Sequence, residues 1–352
     1  MDHIGIDLGA RHSHVVVLRS SGRSPTRCKL RTVDLPCWLE KQPRSRVVME
    51  ACTQSPTIAR ASMTARHATK VVPAQLVRLL GVGARGIKTD DRDAEALAKA
   101  SQHNPDLPSV HLRSEVSCHR RELVSSRANL LKARKSIATS IKSWLRGRLI
   151  VLKGRASSKV FSEVVRTAAL EHPDGLPIAI DTMLETFDHL TEQIERLDKE
   201  VVSLAQTDGV CERLMMIPGV GPQVSFAFTA HLDRADRFAS ADDLASYLAL
   251  VPGESTTGGK VIRTSTIKAG PLYLKAMLVQ AAWSMWRSRP NDPLILWARA
   301  LADRRGKCIA IVALARKIAT IMWSMWKHET SYDPARASSM RVSKANTGIA
   351  MA

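Results

Sequence analysis

Between residues 3 and 73 short apolar runs alternate with polar turns: "HIGIDLG", "SHVVVLRS", "RCKLRTVD", "RVVMEAC" and "ATKVVP". Their brevity and their β-branched content predict strands. Between the last two lies "SPTIARASMTARH", whose pattern suits one helix with Pro56 near its start, where a missing N–H does no harm. Strands come first and helices join later, the order of a mixed sheet with helices packed on it.

From residue 112 the period changes. Eleven basic residues fall between Arg120 and Arg155 with Glu122 the one acid among them, while Leu123, Leu130, Ile137, Ile141, Trp144 and Leu145 recur at helical spacing. This predicts a long cationic helix. Leu176–Gln206 predicts a second, with Ile180, Leu184, Phe187, Ile194, Leu197, Val201 and Leu204 stepping as a heptad seam does. Seven acids between Asp181 and Glu200 face only Arg196 and Lys199. Two readings of the seam stand: a hairpin within one chain, or a joint between two protomers. A third region opens with "LMMIPGVGPQVSFAFTAHL" and continues through helices to Lys327; "WSMW" occurs at 283–286 and again at 323–326, each Trp pair on one helical face and read as core. The resulting division is 1–110 for an α/β domain with a mixed sheet, 111–208 for a helical hairpin or coiled-coil region, 209–330 for a mainly α-helical domain and 331–352 for a small, polar, basic tail expected to be disordered.

Composition sharpens this picture at one point. Over 352 residues, 52 Lys and Arg against 33 Asp and Glu leave a formal charge of +19, which directs attention to a polyanion, nucleic acid first. Arg120, Arg121, Arg127, Lys132, Arg134, Lys135 and Lys142 on the cationic helix are the candidate phosphate contacts. The six cysteines have neither C-x-x-C pairing nor finger-spaced histidines, so zinc and disulfide frameworks are not expected. The first residues lack the layout of a signal peptide, and no apolar run of about 18 residues stands out as a membrane span. The expected location is the cytoplasm, with no membrane partner.

Two chemistries compete within "GVGARGIKTDDRDAEALAKA". Gly81, Gly83 and Gly86 have the spacing of a phosphate loop, but they follow "PAQLVRLL", which reads as a short helix, and no strand leads into them. They are taken as a connector. The acids carry more. Asp7 ends "HIGID" and Glu50 ends "RVVME", while Asp90 and Asp93 are three apart at the head of a helix and share one face. Should the strand ends meet that helix, four carboxylates converge, and their mutual repulsion calls for cations. Two Mg²⁺ ions suit such oxygen donors and can clamp both oxygens of a phosphodiester displacement. Asp91 and Glu95 fall off the shared face and are read as surface charges.

In this order "GIDLG", "VVMEAC" and "KTDDRDAEAL" resemble the DEDD transposases of bacterial insertion sequences, whose N-terminal domain is RNase H-like, akin to the Holliday-junction resolvase RuvC. "IPGVGPQVSFAFTAHL", "RFASADDLASYLALVPGE", "TSTIKAGPLYLKAMLVQAAW" and "RRGKCIAIVALARKIATIMW" are similar to the family's second domain. The resemblance implies a metal-binding tetrad of Asp7, Glu50, Asp90 and Asp93. It also implies a serine nucleophile just after the "VPGE"-like segment, which forms a covalent link to the DNA backbone. Here the chain departs from the family, reading "VPGESTTGGK": Thr256 and Thr257 occupy the usual serine positions and Ser255 lies one residue early. Threonine attack, presentation of Ser255 by a shifted loop, and an inactive copy are the three explanations. Gly258, Gly259 and Lys260, then Arg263 and Lys268, suit close approach to phosphates, and Gly219 and Gly221 of "IPGVGP" resemble a helix-hairpin-helix turn or an ordinary connection. The implied activity is DNA cutting and rejoining in a homo-oligomer, dimer or tetramer, with DNA ends and target as substrates and a structured guide RNA as partner. The rivals are a junction-resolving nuclease that uses water on the same acids, and a nucleic-acid-binding copy that has lost catalysis.

Overall fold

All five apolar runs form strands: β1 (Asp2–Asp7), β2 (His12–Leu18), β3 (Thr26–Arg31), β4 (Ser45–Glu50) and β5 (Ala68–Val72). The computed structural model describes residues 1–22, 24–77, 90–152, 159–173, 175–257, 260–267 and 269–335, with 255–257 and 260–265 described through their backbone alone. The glycine run at 81–86 and the tail beyond 335 therefore lie outside the described residues. The chain divides into two units, Met1–Arg113 and Ser114–Ala352.

In the first unit the strand order is β3-β2-β1-β4-β5. β1 pairs antiparallel with β2, and β2 with β3, while β4 runs parallel to β1 and β5 parallel to β4. Helices α1 (Leu35–Glu40), α2 (Ser55–Thr64), α3 (Ala74–Val77) and α4 (Asp90–His103) accompany the sheet. Side chains alternate between its faces. Ile4, Ile6, Val15, Val17, Val47, Met49 and Val71 form one core with Leu35 and Leu39 of α1 and Ile58 and Ala59 of α2. On the other face Val16 packs on Ala94 and Ala98, and Val48 and Val72 pack with Leu97, all under α4. The fit there is close. A Cβ on Gly5 would stand 2.0 Å from the Ala94 carbonyl oxygen and 2.5 Å from the Ala98 nitrogen, so the absent side chain lets helix backbone rest on strand backbone.

The second unit opens with α5 (Glu115–Gly147), whose N-cap Ser114 accepts from the Ser117 N–H, followed by α6 (Phe161–Leu170) and α7 (Ile178–Gln206). α5 and α7 pack together within the chain as a helical hairpin. Its far end is sealed by Ile141 and Leu145 of α5, Phe161 and Val165 of α6, and Ile180, Leu184 and Phe187 of α7. Six further helices follow: α8 (Gly209–Leu214), α9 (Pro222–Leu232), α10 (Ala241–Tyr247), α11 (Leu272–Ser288), α12 (Pro293–Arg305) and α13 (Lys307–His328). Val124, Val201 and Ala205 of the long helices share one core with Phe226, Phe228, Leu278, Leu314 and Ile318, and the half-buried Trp283, Trp286 and Trp326 pack against it alongside the buried Trp323. The Trp pairs are core residues, as read.

Two features correct the sequence reading. α13 is long and apolar enough to cross a membrane by length and composition; 61% of its apolar window is buried, so its hydrophobic residues serve as core. The segment read as a Gly-rich nucleophile loop is a β-hairpin, β6 (Pro252–Thr257) and β7 (Lys260–Thr266), antiparallel with Thr257 opposite Lys260.

Candidate active site

Asp7 is the last residue of β1 and pairs with His14 of β2. Ile6 pairs with Met49 across the parallel β1–β4 ladder, so Asp7 and Glu50 stand one rung further at the carboxyl ends of neighbouring strands, about 4.8 Å apart in backbone spacing. Strand alternation sends both toward the Gly5 and Val48 face, the one α4 covers.

Three contacts fix the direction of α4. At its C-terminal part Ser101 Oγ is hydrogen-bonded to His3 Nδ1 at 2.9 Å, at the start of β1. Midway, Ala94 and Ala98 lie over Gly5. At its first turn Asp91 Oδ1 accepts from His14 Nδ1 at 2.5 Å, and Asp90 Oδ2 lies 3.6 Å from His14 Nε2. The helix therefore runs antiparallel to β1 and carries its acidic first turn to the strand ends that bear Asp7 and Glu50. Asp93 is 6% exposed and is the one buried carboxylate among the described residues; Asp7 and Glu50 are half-buried, and Asp90 is exposed. Glu95, on another face, accepts from Lys99 and Arg27, each at 2.8 Å, and Lys99 first and Arg27 second hold its carboxyl below the usual range.

Among the described residues no three His, Cys, Asp or Glu side chains are close enough together to form a ready metal cage. The Asp90 carboxylate is turned toward His14 at the rim. The donor set nevertheless fits a hard divalent cation, being wholly carboxylate oxygen, with one member out of water on a backbone that a glycine contact holds in place. His14 is a residue the sequence reading missed; Asp91, read as a surface charge, is exposed and pairs with it. His14 lies opposite Asp7 across the β1–β2 hairpin, but its contact with Asp91 spans 77 residues of sequence and is not legible there.

The candidate hydroxyls sit on β6 at defined register: Ser255 opposite Ile262, Thr256 opposite Val261 and Thr257 opposite Lys260, with Arg263 opposite Glu254. Gly258, Gly259 and Lys268 lie outside the described residues. The base of the hairpin is anchored. Lys275 of α11 donates to Thr266 Oγ1 at 2.6 Å and to the Ile267 carbonyl at 3.3 Å, and the Ile267 N–H donates to the Val251 carbonyl at 3.1 Å. Burial at this anchor pulls the Lys275 ammonium below its ordinary range.

The cationic helix has two distinct sides. Arg120, Arg127 and Arg134 recur every seventh residue on the inner side. Arg120 pairs with Asp208, Arg127 with Asp198 and the Tyr273 hydroxyl, and Arg134 donates to Thr191 Oγ1. Arg121 is likewise half-buried. Arg120, Arg127 and Arg134 thus have partners within the chain. Lys132, Lys135, Lys142 and Arg146 are exposed, at spacings that align them along one stripe. In "IPGVGP", Gly219 has φ +88°, and a Cβ there would come within 2.5 Å of the Ala281 carbonyl oxygen, a packing role against α11; Gly221, with open space beside it, caps α9.

The chain belongs to the DEDD-type insertion-sequence transposases. A DEDD transposase family model of the IS110 type matches residues 4–149, and the model described as "Transposase IS116/IS110/IS902 family" matches 211–294. Among curated relatives, a "Probable family 20 transposase" of Pseudomonas aeruginosa is 28% identical over 95% of this chain and 99% of its own length. The "Transposase for insertion sequence element IS1328" of Yersinia enterocolitica is 26% identical over 91% of this chain and 95% of its own. That for IS1111A of Coxiella burnetii is 25% identical over 81% and 79%.

Proposed function

We propose that this transposase cuts and rejoins the DNA of an insertion sequence with divalent metal held by Asp7, Glu50, Asp90 and Asp93 in an RNase H-like domain. The observation that carries this reading is the antiparallel seating of α4 on β1, which takes Asp90 and Asp93 to the ends of the strands bearing Asp7 and Glu50. The strand order, a three-stranded antiparallel meander extended by two parallel strands, supports the RNase H-like assignment. Two Mg²⁺ ions bound there would supply Lewis-acid polarisation of the scissile phosphate and neutralise charge on the departing oxygen. The chain's own groups do the rest. A hydroxyl among Ser255, Thr256 and Thr257 attacks phosphorus and takes the phosphoryl group as an ester, while the bond to the departing nucleotide oxygen breaks and that oxygen leaves as a hydroxyl with the proton the attacking group gives up. That hydroxyl comes from a second copy of the chain in a homo-oligomer. The exposed Lys132, Lys135, Lys142 and Arg146 follow the DNA backbone. From the family resemblance we also infer a structured guide RNA as partner, in the cytoplasm of a bacterial cell.

The test is a cleavage assay on the element's own ends with Mg²⁺. Protein covalently attached to DNA, lost in Asp7→Asn with DNA binding retained, is the expected result. Free nicked ends with no adduct would point to the junction-resolving nuclease, and retained binding with no product to an inert copy, the outcome Thr256 and Thr257 at the serine positions would then explain.

A further inference from the structure

We propose that the corner where α12 turns into α13 is a docking surface for the phosphodiester backbone of duplex DNA, distinct from the α5 stripe. The proposal rests on the chain's acting on DNA as a transposase. Gly306, at φ +87°, is both the last cap of α12 and the first cap of α13, so the two helices meet with no intervening loop. Arg299, Arg304 and Arg305 from α12 and Lys307 from α13 are exposed around this turn, and Arg287 at the end of α11 is exposed as well. From Pro293 to Lys307 one acid, Asp303, accompanies them. Among the described residues no ion pair engages any of the five cations.

Aromatic rings arrange this charge. The Lys307 ammonium stands 5.2 Å from the Trp283 ring centre and 5.6 Å from that of Trp286, and the Arg299 guanidinium lies 5.7 Å from Trp286. Both indoles are half-buried against the core, so they are fixed supports. A cation–π contact at an exposed site contributes about 0.5–1 kcal/mol, enough to favour one rotamer while the N–H donors still point to solvent. Holding the cations in place beforehand lowers the entropy lost when phosphate binds.

Packing does not require these charges. Leu294, Ile295 and Ala298 of α12 and Ile311 and Leu314 of α13 belong to the apolar core, and the cation buried between these helices, Lys317 at 4.3 Å from the Trp297 ring centre, is not one of the five. Like charges at close range repel, a cost only partly screened by salt and removed when a polyanion binds. Duplex DNA is the polyanion on which this family acts, and it offers phosphates in regular array.

The test compares the wild-type chain with Arg304→Gln/Arg305→Gln/Lys307→Gln by fluorescence anisotropy, using a mixed-sequence DNA duplex and an RNA hairpin as probes over a salt series. The triple variant should melt within about 5 °C of the wild type, the loss of the Lys307 ring contacts being small, and bind the duplex about tenfold or more weakly. The slope of log affinity against log salt should become shallower by about 2 to 3, one unit per phosphate contact removed. Unchanged duplex affinity and slope would overturn the proposal, as would loss confined to the RNA probe. Failure of the wild type to bind any duplex would overturn the transposase reading itself, a result distinguishable from failure of the corner alone.

Discussion

His14 shows how a residue acquires a role from its register. On the sequence it is one of three histidines among the first 14 residues, in a run read only as a strand. Pairing with Asp7 places it beside the first turn of α4, where it donates to Asp91 and lies near Asp90. Asp91, read as a surface charge, thus helps anchor the helix end that carries Asp90 and Asp93. His14→Ala should speed amide hydrogen exchange at residues 91–94 while leaving exchange in β1 and β4 unchanged. Equal protection throughout would remove the anchoring role. Asp93 could be nominated from sequence because a D-x-x-D pair at a helix start has a recognisable geometry. Its burial was not legible, since that depends on how closely α4 approaches the sheet.

That approach is a property of elements. Gly5 and the small Ala94 and Ala98 let β1 and α4 touch through backbone, and that contact sets how closely the whole helix, its acidic first turn included, approaches the sheet. Gly5→Ala should destabilise the first unit by about 1–3 kcal/mol, the range for overpacking, and should weaken metal binding although Gly5 bears no ligand; a thermal melt and a Mn²⁺ titration together check it. α5 offers the complementary case. Arg127→Ala removes charged hydrogen bonds to Asp198 and Tyr273 and should lower stability by about 2 kcal/mol in denaturant unfolding. Lys132→Gln/Lys135→Gln should leave unfolding nearly unchanged and weaken DNA binding instead. The converse pattern would mean that the two sides of the helix have been misassigned. The charge count of α5 was legible, but which charges face inward is told only by the seven-residue spacing of Arg120, Arg127 and Arg134 against acids on another helix. Short elements escaped for a different reason. α1 spans 6 residues, too few for a helical period to emerge from neighbouring connections. The β-branched stretches "STT" and "KVIRTST" on either side of Gly-Gly were a hairpin signal overshadowed by its reading as a loop.

At the scale of the whole molecule, a charge of +19 is divided between arginines that bind helices together and exposed cations left for a polyanion. The α/β part was the most legible, because five β-branched runs of strand length leave little freedom in how a sheet can form. The helical unit was legible in its long helices and not in its finer order, since apolar helices of similar make-up can share a core in many arrangements. The proposed metal site lies where two strand ends approach one helical turn. The most direct measurement is anomalous diffraction from crystals soaked in Mn²⁺. A peak bounded by Asp7, Glu50, Asp90 and Asp93, absent in Asp7→Asn, is the result this account predicts. Full Mn²⁺ loading with no peak at those four residues, or a peak that survives Asp7→Asn, would contradict it.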